Sequence, residues 1–167
     1  MTVVWITGLP SSGKSTLAAR LQRRLAGAVV LDGDDVRTAI EMYGYDPAAR
    51  DSFYRVLARL AALVARQGLI AIVAATSPSR MHRTYAREVA PRFIEVFVDT
   101  PLAECTRRDA KGLYAAARSG GVANLPGDSA AYERPTSPNA IARGGEDDDA
   151  VAMIVELVHA RRAPGAP

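Results

Sequence analysis

The stretch Gly8-Leu9-Pro10-Ser11-Ser12-Gly13-Lys14-Ser15-Thr16 follows the pattern G-x-x-x-x-G-K-S/T, which is typical of loops that bind nucleotide phosphates. An apolar, β-branched run at residues 2–7 precedes it and predicts a buried parallel strand. Leucines at helical spacing follow it, at positions 17, 21 and 25. Because a strand, a glycine-rich loop and a helix come in this order, the loop's backbone N–H groups can surround phosphates at the positive end of the helix. We therefore predict that residues 8–16 bind ATP.

Two side chains of this loop have predicted roles in the chemistry. Lys14 is expected to reach the β- and γ-phosphates, and the Ser15 hydroxyl to ligate Mg²⁺. Of the 21 basic residues in the chain, only Lys14 and Lys111 are lysine. A compact ammonium on a flexible stem suits a phosphate loop better than a forked guanidinium does. Lys111 is therefore a second residue of interest.

Composition predicts one domain over residues 1–162, followed by a disordered tail at 163–167. No apolar run approaches the roughly 18 residues of a membrane span, and no signal sequence precedes the loop, so we expect a cytoplasmic protein without a membrane partner. The net charge of +3 includes no basic block, which argues against nucleic acid as a partner and fits a small anionic substrate. Cys105 is the only cysteine and is expected to be a core residue.

A second predicted strand, at residues 28–31, runs directly into Asp32-Gly33-Asp34-Asp35. Ligands bind at the carboxyl ends of parallel strands, so Asp34 is predicted to face the γ-phosphate as a metal partner or as a base for an attacking hydroxyl. Arg37 lies one helical turn later and could hold an anionic group of the acceptor. The alternative is that these carboxylates form only a turn and a helix N-cap.

Strands and helices alternate through the rest of the chain. A hydroxyl-rich loop at Thr76 and Ser77 again follows a predicted strand. The arginines at 80, 83 and 87 are interpreted as a solvated helix face, on which Arg80 is best placed to bind a substrate. This alternation predicts a three-layer αβα fold with a parallel sheet of about five strands and a mobile lid over residues 110–145. The remaining predicted elements are helices at 47–67 and from 80, strands at 69–75, 92–99 and 140–142, and helices from 101, at 110–118 and from 147.

Several segments together resemble the adenylylsulfate kinase (APS kinase) family. Its W-x-T-G-L appears at residues 5–9, and L-D-G-D-N-V-R at 31–37 with Asp35 in place of asparagine. I-S-P-[FY]-R corresponds to 76–80, F-I-E-V-F-V-D-T-P-L to 93–102, K-G-L-Y to 111–114 and Y-E-x-P to 132–135. The segments at 93–102 and 111–114 are far more specific than the phosphate loop, which alone indicates only nucleotide binding.

The resemblance implies transfer of the γ-phosphate of Mg-ATP to the 3′-hydroxyl of adenylyl sulfate (APS), which yields PAPS in sulfate assimilation. By this resemblance Asp34 activates the hydroxyl or holds the metal, and Arg37 and Arg50 grip the phosphosulfate. Lys111 belongs to a lid that closes over the phosphates, and Ser77 hydrogen-bonds the acceptor. Tyr45, Thr76 and Arg80 match further substrate-binding positions, and family members are often homodimers.

The departures from the family pattern concern the acceptor side. The family's E-N-I-R-R reads Ser52-Phe53-Tyr54-Arg55-Val56, so an amide that contacts the substrate becomes a phenyl ring at Phe53. Leu125 and Ser79 stand where the family has aromatic residues. Two alternatives therefore remain open, namely a kinase for a different nucleotide conjugate or small alcohol, and a nucleotide-binding regulatory protein without turnover.

Overall fold

A computed structural model describes residues 1–121 and 123–160 of the chain, and the predicted tail at 163–167 lies outside these residues. Five parallel strands form one sheet in the order β2-β3-β1-β4-β5. The prediction of a three-layer αβα fold on a parallel sheet is confirmed. The strands are β1 (Thr2–Gly8), β2 (Ala28–Asp32), β3 (Ile70–Ala74), β4 (Phe93–Val98) and β5 (Ala140–Ala142).

The helices agree with the predicted ones apart from their ends. Pro101 caps its helix, which begins one residue later than predicted, and Gly112, at φ 65°, delays the next helix from 110 to Leu113. Asp46 and Ser79 accept N-cap hydrogen bonds, which explains where the two central helices begin. The helices are α1 (Lys14–Arg24), α2 (Gly33–Ala39), α3 (Pro47–Arg66), α4 (Arg80–Val89), α5 (Leu102–Arg108), α6 (Leu113–Arg118) and α7 (Asp148–His159).

Alternate residues of β1 divide the core into two layers. Val4 and Ile6 pack with Leu17, Leu21 and other residues of α1 and α7 on one face of the sheet. Val3 and Trp5 pack on the other face, against α3 and α4. Because β1 lies in the middle of the sheet and is buried on both faces, the phosphate loop that follows it starts from a rigid support.

The segment predicted to be a lid crosses the carboxyl edge of the sheet and packs on the loop beneath it. Tyr114 and Leu125 form a small apolar cluster with Cys105, against which Leu9 packs. The buried Tyr114 hydroxyl donates to the Pro10 carbonyl at 3.0 Å. Cys105 is fully buried there, as predicted. None of the helices within the described residues is both long enough and apolar enough to cross a bilayer.

Candidate active site

The loop between β1 and α1 has the form of a phosphate cradle. Gly13 adopts φ 103°, which favours glycine, and α1 begins without a side-chain cap, so its first N–H groups remain available to a ligand. A Cβ atom on Gly13 would lie 2.5 Å from the Gly145 nitrogen, so the loop before α7 rests directly on the cradle. The Lys14 ammonium donates to the carbonyls of Gly8, at 3.0 Å, and Leu9, at 2.7 Å. The Lys14 side chain therefore folds back onto the first residues of its own loop.

Burial lowers the pKa of Lys14 to about 8, although the carboxylates of Asp32 and Asp34 oppose this change. The nearby positive charge of Lys111 also lowers the pKa of Lys14. A bound phosphate would supply the compensating negative charge that this site lacks. The electrostatics thus favour an anionic ligand next to Lys14.

Ser15 and Asp32 provide a set of oxygen ligands that fits a magnesium ion. The Ser15 hydroxyl donates to Asp32 Oδ2 at 2.5 Å, and Asp32 Oδ1 accepts from the Asp34 nitrogen at 3.0 Å. A hydroxyl and a carboxylate are hard donors of the type that Mg²⁺ prefers. Sequence reasoning paired Ser15 with Asp34, whereas the structure places Asp32 against it. The position of Asp32 as the last residue of β2 was the signal available.

Asp34 instead forms an ion pair with Lys111 from the lid segment. Burial opposes the charge on Lys111, but its hydrogen bond to Asp34 and the Asp34 charge outweigh this and raise the pKa of the lysine. Both side chains are more than half exposed, so the pair contributes little to stability. An anionic ligand can therefore take the place of Asp34 beside Lys111 at small cost. The structure brings together these two residues, which are 77 positions apart.

Arg37 is buried between two aromatic rings. Its guanidinium carbon lies 3.7 Å from the centroid of Phe53 and 4.6 Å from that of Tyr45. One of its nitrogens donates to the carbonyls of Met42 and Gly44, each at 3.0 Å. The phenyl ring at position 53 thus supports a predicted substrate-binding arginine.

Arg50 and Thr76 are the other polar residues that the structure ties to this edge of the sheet. Arg50 donates to the carbonyl of Asn124 in the lid segment. The Thr76 carbonyl accepts from the Thr7 hydroxyl at 2.6 Å, and that hydroxyl lies 2.9 Å from the Tyr132 hydroxyl. Thr7 in β1 and Thr76 after β3 are thereby tied to Tyr132, at the base of the lid.

Ser77 is buried, and its hydroxyl has no hydrogen-bonding partner within the described residues. Its nitrogen donates to the Tyr54 hydroxyl at 2.8 Å, and its backbone has φ 45°, which is unusual for a serine. The hydroxyl predicted to bind the acceptor is thus closed off in this conformation. The nearby Arg80, which was predicted to bind substrate, is exposed to solvent.

Arg83 is a buried residue next to the site whose position the sequence analysis did not predict, because its stripe on α4 was interpreted as a solvated face. Its side chain is 4% exposed and donates to Glu95 of β4 at 3.0 Å. It also donates to the carbonyls of Ser77, at 2.7 Å, and Glu133, at 2.6 Å. The Glu133 carboxylate in turn accepts from the Arg80 nitrogen at 2.5 Å. Arg83 thereby joins the loop after β3 to the base of the lid.

Leu125, which was predicted to line the acceptor pocket, is only 4% exposed. It lies within the lid segment and packs in the cluster with Tyr114 and Cys105. An aliphatic side chain gains more from burial against these residues than from contact with solvent, which explains its position. Leu125 therefore has a packing role in this conformation.

The family model described as adenylylsulphate kinase matches residues 1–143. The chain belongs to the adenylylsulphate kinase family. This family consists of P-loop kinases, and the cradle around Lys14 is the corresponding loop. The predicted resemblance is thereby confirmed.

Individual relatives extend the match to nearly the whole chain. The chain is 44% identical to the adenylyl-sulfate kinase of Pseudomonas aeruginosa over 165 residues, which is 93% of this chain and 84% of that protein. It is also 44% identical to the bifunctional enzyme NodQ of Azospirillum brasilense over 166 residues, but it spans only 27% of that longer protein. The structure of the Mycobacterium tuberculosis APS kinase CysC with AMPPNP and APS superposes with a TM-score of 0.89 at 38% identity, covering 95% of this chain and 98% of that one.

Proposed function

We propose that this adenylylsulphate kinase family member transfers the γ-phosphate of ATP to the 3′-hydroxyl of adenylyl sulfate. The observation that carries the proposal is the ion pair of Asp34 and Lys111 next to the loop that contains Lys14. The chain that forms this pair belongs to the adenylylsulphate kinase family. The solved relative, whose bound molecules are AMPPNP and APS, covers 95% of this chain. A base, two cations and a phosphate cradle are the parts that phosphoryl transfer to an alcohol requires.

Each residue has a distinct role in this proposal. Lys14 leaves the carbonyls of its own loop and follows the β- and γ-phosphates, where its positive charge balances the transferring group. Asp34 exchanges Lys111 for the acceptor hydroxyl and takes its proton as the new P–O bond forms. The bond between the γ-phosphorus and the β-phosphate oxygen breaks in the same step, and ADP leaves with the electron pair of that bond. Lys111 then turns to the phosphates, and the lid segment keeps water away from them. Arg37 and Arg50 hold the phosphosulfate.

A magnesium ion would be held by Ser15 and Asp32, with Asp34 as a further oxygen donor. When bound, it would neutralise part of the negative charge of the phosphates. The predicted ligand pair of Ser15 and Asp34 is thus extended by Asp32, whose oxygen already lies 2.5 Å from the Ser15 hydroxyl.

The test is ADP release from Mg-ATP in the presence of adenylyl sulfate, with Lys14→Ala as the control for contaminating activity. We expect turnover with the wild-type protein and almost none with the variant. Absence of turnover at millimolar adenylyl sulfate would rule out the proposed acceptor. The same assay with a panel of nucleotides and alcohols then tests the alternatives, and turnover with any of them excludes a purely regulatory protein.

One observation favours a second candidate, a related kinase with a different acceptor. Arg37 stacks on Phe53, where the family pattern has an asparagine that contacts the substrate. Loss of this amide changes which hydrogen bonds the acceptor can form, while the ATP side keeps its full pattern. A higher kcat/KM for another alcohol than for adenylyl sulfate would support it. A cytoplasmic location and a homodimer remain predictions from the sequence.

A further inference from the structure

Tyr54 lies in the second turn of α3 with its ring held on both sides. The ring stacks on His82 at 4.3 Å between centroids and meets the edge of Phe53 at 5.3 Å. His82 is itself hydrogen-bonded to Asp51 at 2.7 Å. These contacts leave the ring little freedom, so its hydroxyl has a defined position at the carboxyl edge of the sheet.

Among the residues that the structure describes, the Tyr54 hydroxyl accepts a hydrogen bond but has no acceptor for its own proton. It receives the Ser77 N–H at 2.8 Å, just beyond the end of β3. Within the described residues, no oxygen accepts the phenolic proton in return. Burial raises the pKa of Tyr54, so the group keeps this proton at neutral pH. The hydroxyl is therefore an unused donor, which is unusual for a buried polar group.

The surroundings of this hydroxyl indicate what could accept the proton. Arg50 lies one helical turn before Tyr54 on α3, and the guanidinium carbon of Arg37 lies 3.7 Å from the centroid of the Phe53 ring that Tyr54 contacts. Arg37 and Arg50 are the residues proposed above to hold the phosphosulfate of the acceptor. Two arginines next to a neutral donor favour an anionic oxygen as the ligand.

We propose that the Tyr54 hydroxyl donates a hydrogen bond to an anionic oxygen of the bound acceptor, which makes Tyr54 a substrate-binding residue. This inference rests on the proposed function, with adenylyl sulfate as the acceptor. The quoted family pattern has isoleucine at this position and asparagine at the preceding one. The polar group for the substrate has thus moved from position 53 to position 54 in this chain.

The test compares Tyr54→Phe with a matched control, Tyr85→Phe. Tyr85 also has a hydroxyl that accepts a hydrogen bond, from Arg59 at 2.8 Å, but it is half-buried between α4 and α3, with Arg55 over its ring. Calorimetry in the presence of ADP gives the Kd of adenylyl sulfate and of adenosine, which lacks the anionic group. Thermal unfolding of the free protein measures the structural effect of losing the bond to Ser77.

We expect Tyr54→Phe to weaken adenylyl sulfate about tenfold or more, as for a hydrogen bond to a charged group, with adenosine binding unchanged. Tyr85→Phe should leave both affinities unchanged. Equal weakening of adenosine and adenylyl sulfate together with a lower Tm would mean that Tyr54 only supports the loop, and would overturn the inference. So would wild-type affinity in Tyr54→Phe. If wild-type protein neither binds nor phosphorylates adenylyl sulfate, the proposed function itself is wrong and the inference is wrong with it.

Discussion

At the scale of single residues, the site contains charges whose present partners substrates can replace. Lys14 is surrounded by carbonyl oxygens, and burial lowers its pKa to about 8. Asp34 and Lys111 neutralise each other across the cleft, although both are partly exposed. Phosphates and the acceptor hydroxyl can supply better partners for all three. The residues are thus prepared for a charged ligand rather than for maximum stability of the empty site.

The lowered pKa of Lys14 predicts how ATP binding depends on pH. Below about pH 8 the ammonium is charged and attracts phosphate, and above it the charge is lost. We expect the Kd of ATP to rise about tenfold between about pH 7 and about pH 9, because the charged fraction falls by that factor. Titration calorimetry measures it. Lys14→Ala should bind weakly at every pH without this step, and a flat wild-type profile would contradict the prediction.

Replacement of Asp34 tests its role as the base. Asp34→Asn keeps the size of the side chain but cannot take the proton, so kcat should fall about 10² to 10⁴-fold with little change in the KM of ATP. Steady-state kinetics with adenylyl sulfate measure both constants. Asp35→Asn is the matched control, because this neighbouring carboxylate is also exposed, and its kcat should stay close to wild type. Similar losses in the two variants would assign the effect to local charge instead.

At the scale of secondary-structure elements, Arg83 of α4 connects β4, the loop after β3 and the base of the lid. Arg83→Met keeps the apolar stem but leaves buried oxygens without a donor. We expect a loss of about 3 kcal/mol in the free energy of unfolding, measured by urea denaturation. Arg87 pairs with the same Glu95 but is 48% exposed, so Arg87→Met should cost less than about 1 kcal/mol. Equal costs would show that the burial of Arg83 is unimportant.

The contact between the phosphate loop and the loop before α7 depends on a glycine pair. A Cβ atom on Gly145 would lie 2.6 Å from Thr16 Cβ and 2.7 Å from the Gly13 carbonyl oxygen. Gly145→Ala should therefore destabilise the protein by about 1 to 3 kcal/mol in urea denaturation and weaken ATP binding, since α1 must shift. At Gly121 the nearest atom would be 3.4 Å away, and Gly121→Ala should be nearly neutral. Unchanged stability and ATP affinity in Gly145→Ala would show that the loops can separate freely.

At the scale of the whole molecule, the phosphate loop is a meeting point for distant parts of the chain. Thr100 donates to the Ser12 carbonyl at 2.8 Å, and Tyr114 of the lid segment donates to Pro10. Gly145, before the last helix, lies against Gly13. A ligand in this loop is thus expected to stabilise the entire fold and not only the loop.

Stabilisation of the whole fold by ATP can be measured as an increase in the free energy of unfolding. At about 100 times its Kd, Mg-ATP should add about 2.7 kcal/mol to the free energy of unfolding. Urea denaturation with and without the nucleotide measures the difference, as a single shifted transition. Lys14→Ala at the same nucleotide concentration should show almost no shift. A shift confined to a separate early transition would mean that the loop unfolds independently of the rest.

Local sequence determined the fold and the ATP side of the site. The apolar runs before Gly8 and Asp32 specify parallel strands. Residues that follow such strands lie at the carboxyl edge of the sheet. The positions of Lys14, Ser15 and Asp34 at this edge could therefore be predicted from spacing alone. Only the tertiary structure decided the contacts between segments far apart in the chain. Asp32 faces Ser15, Arg83 is buried against Glu95, and Leu125 packs against Cys105 and Tyr114. The physical reason is that side-chain partners across 12 to 125 positions depend on packing, which no local pattern records.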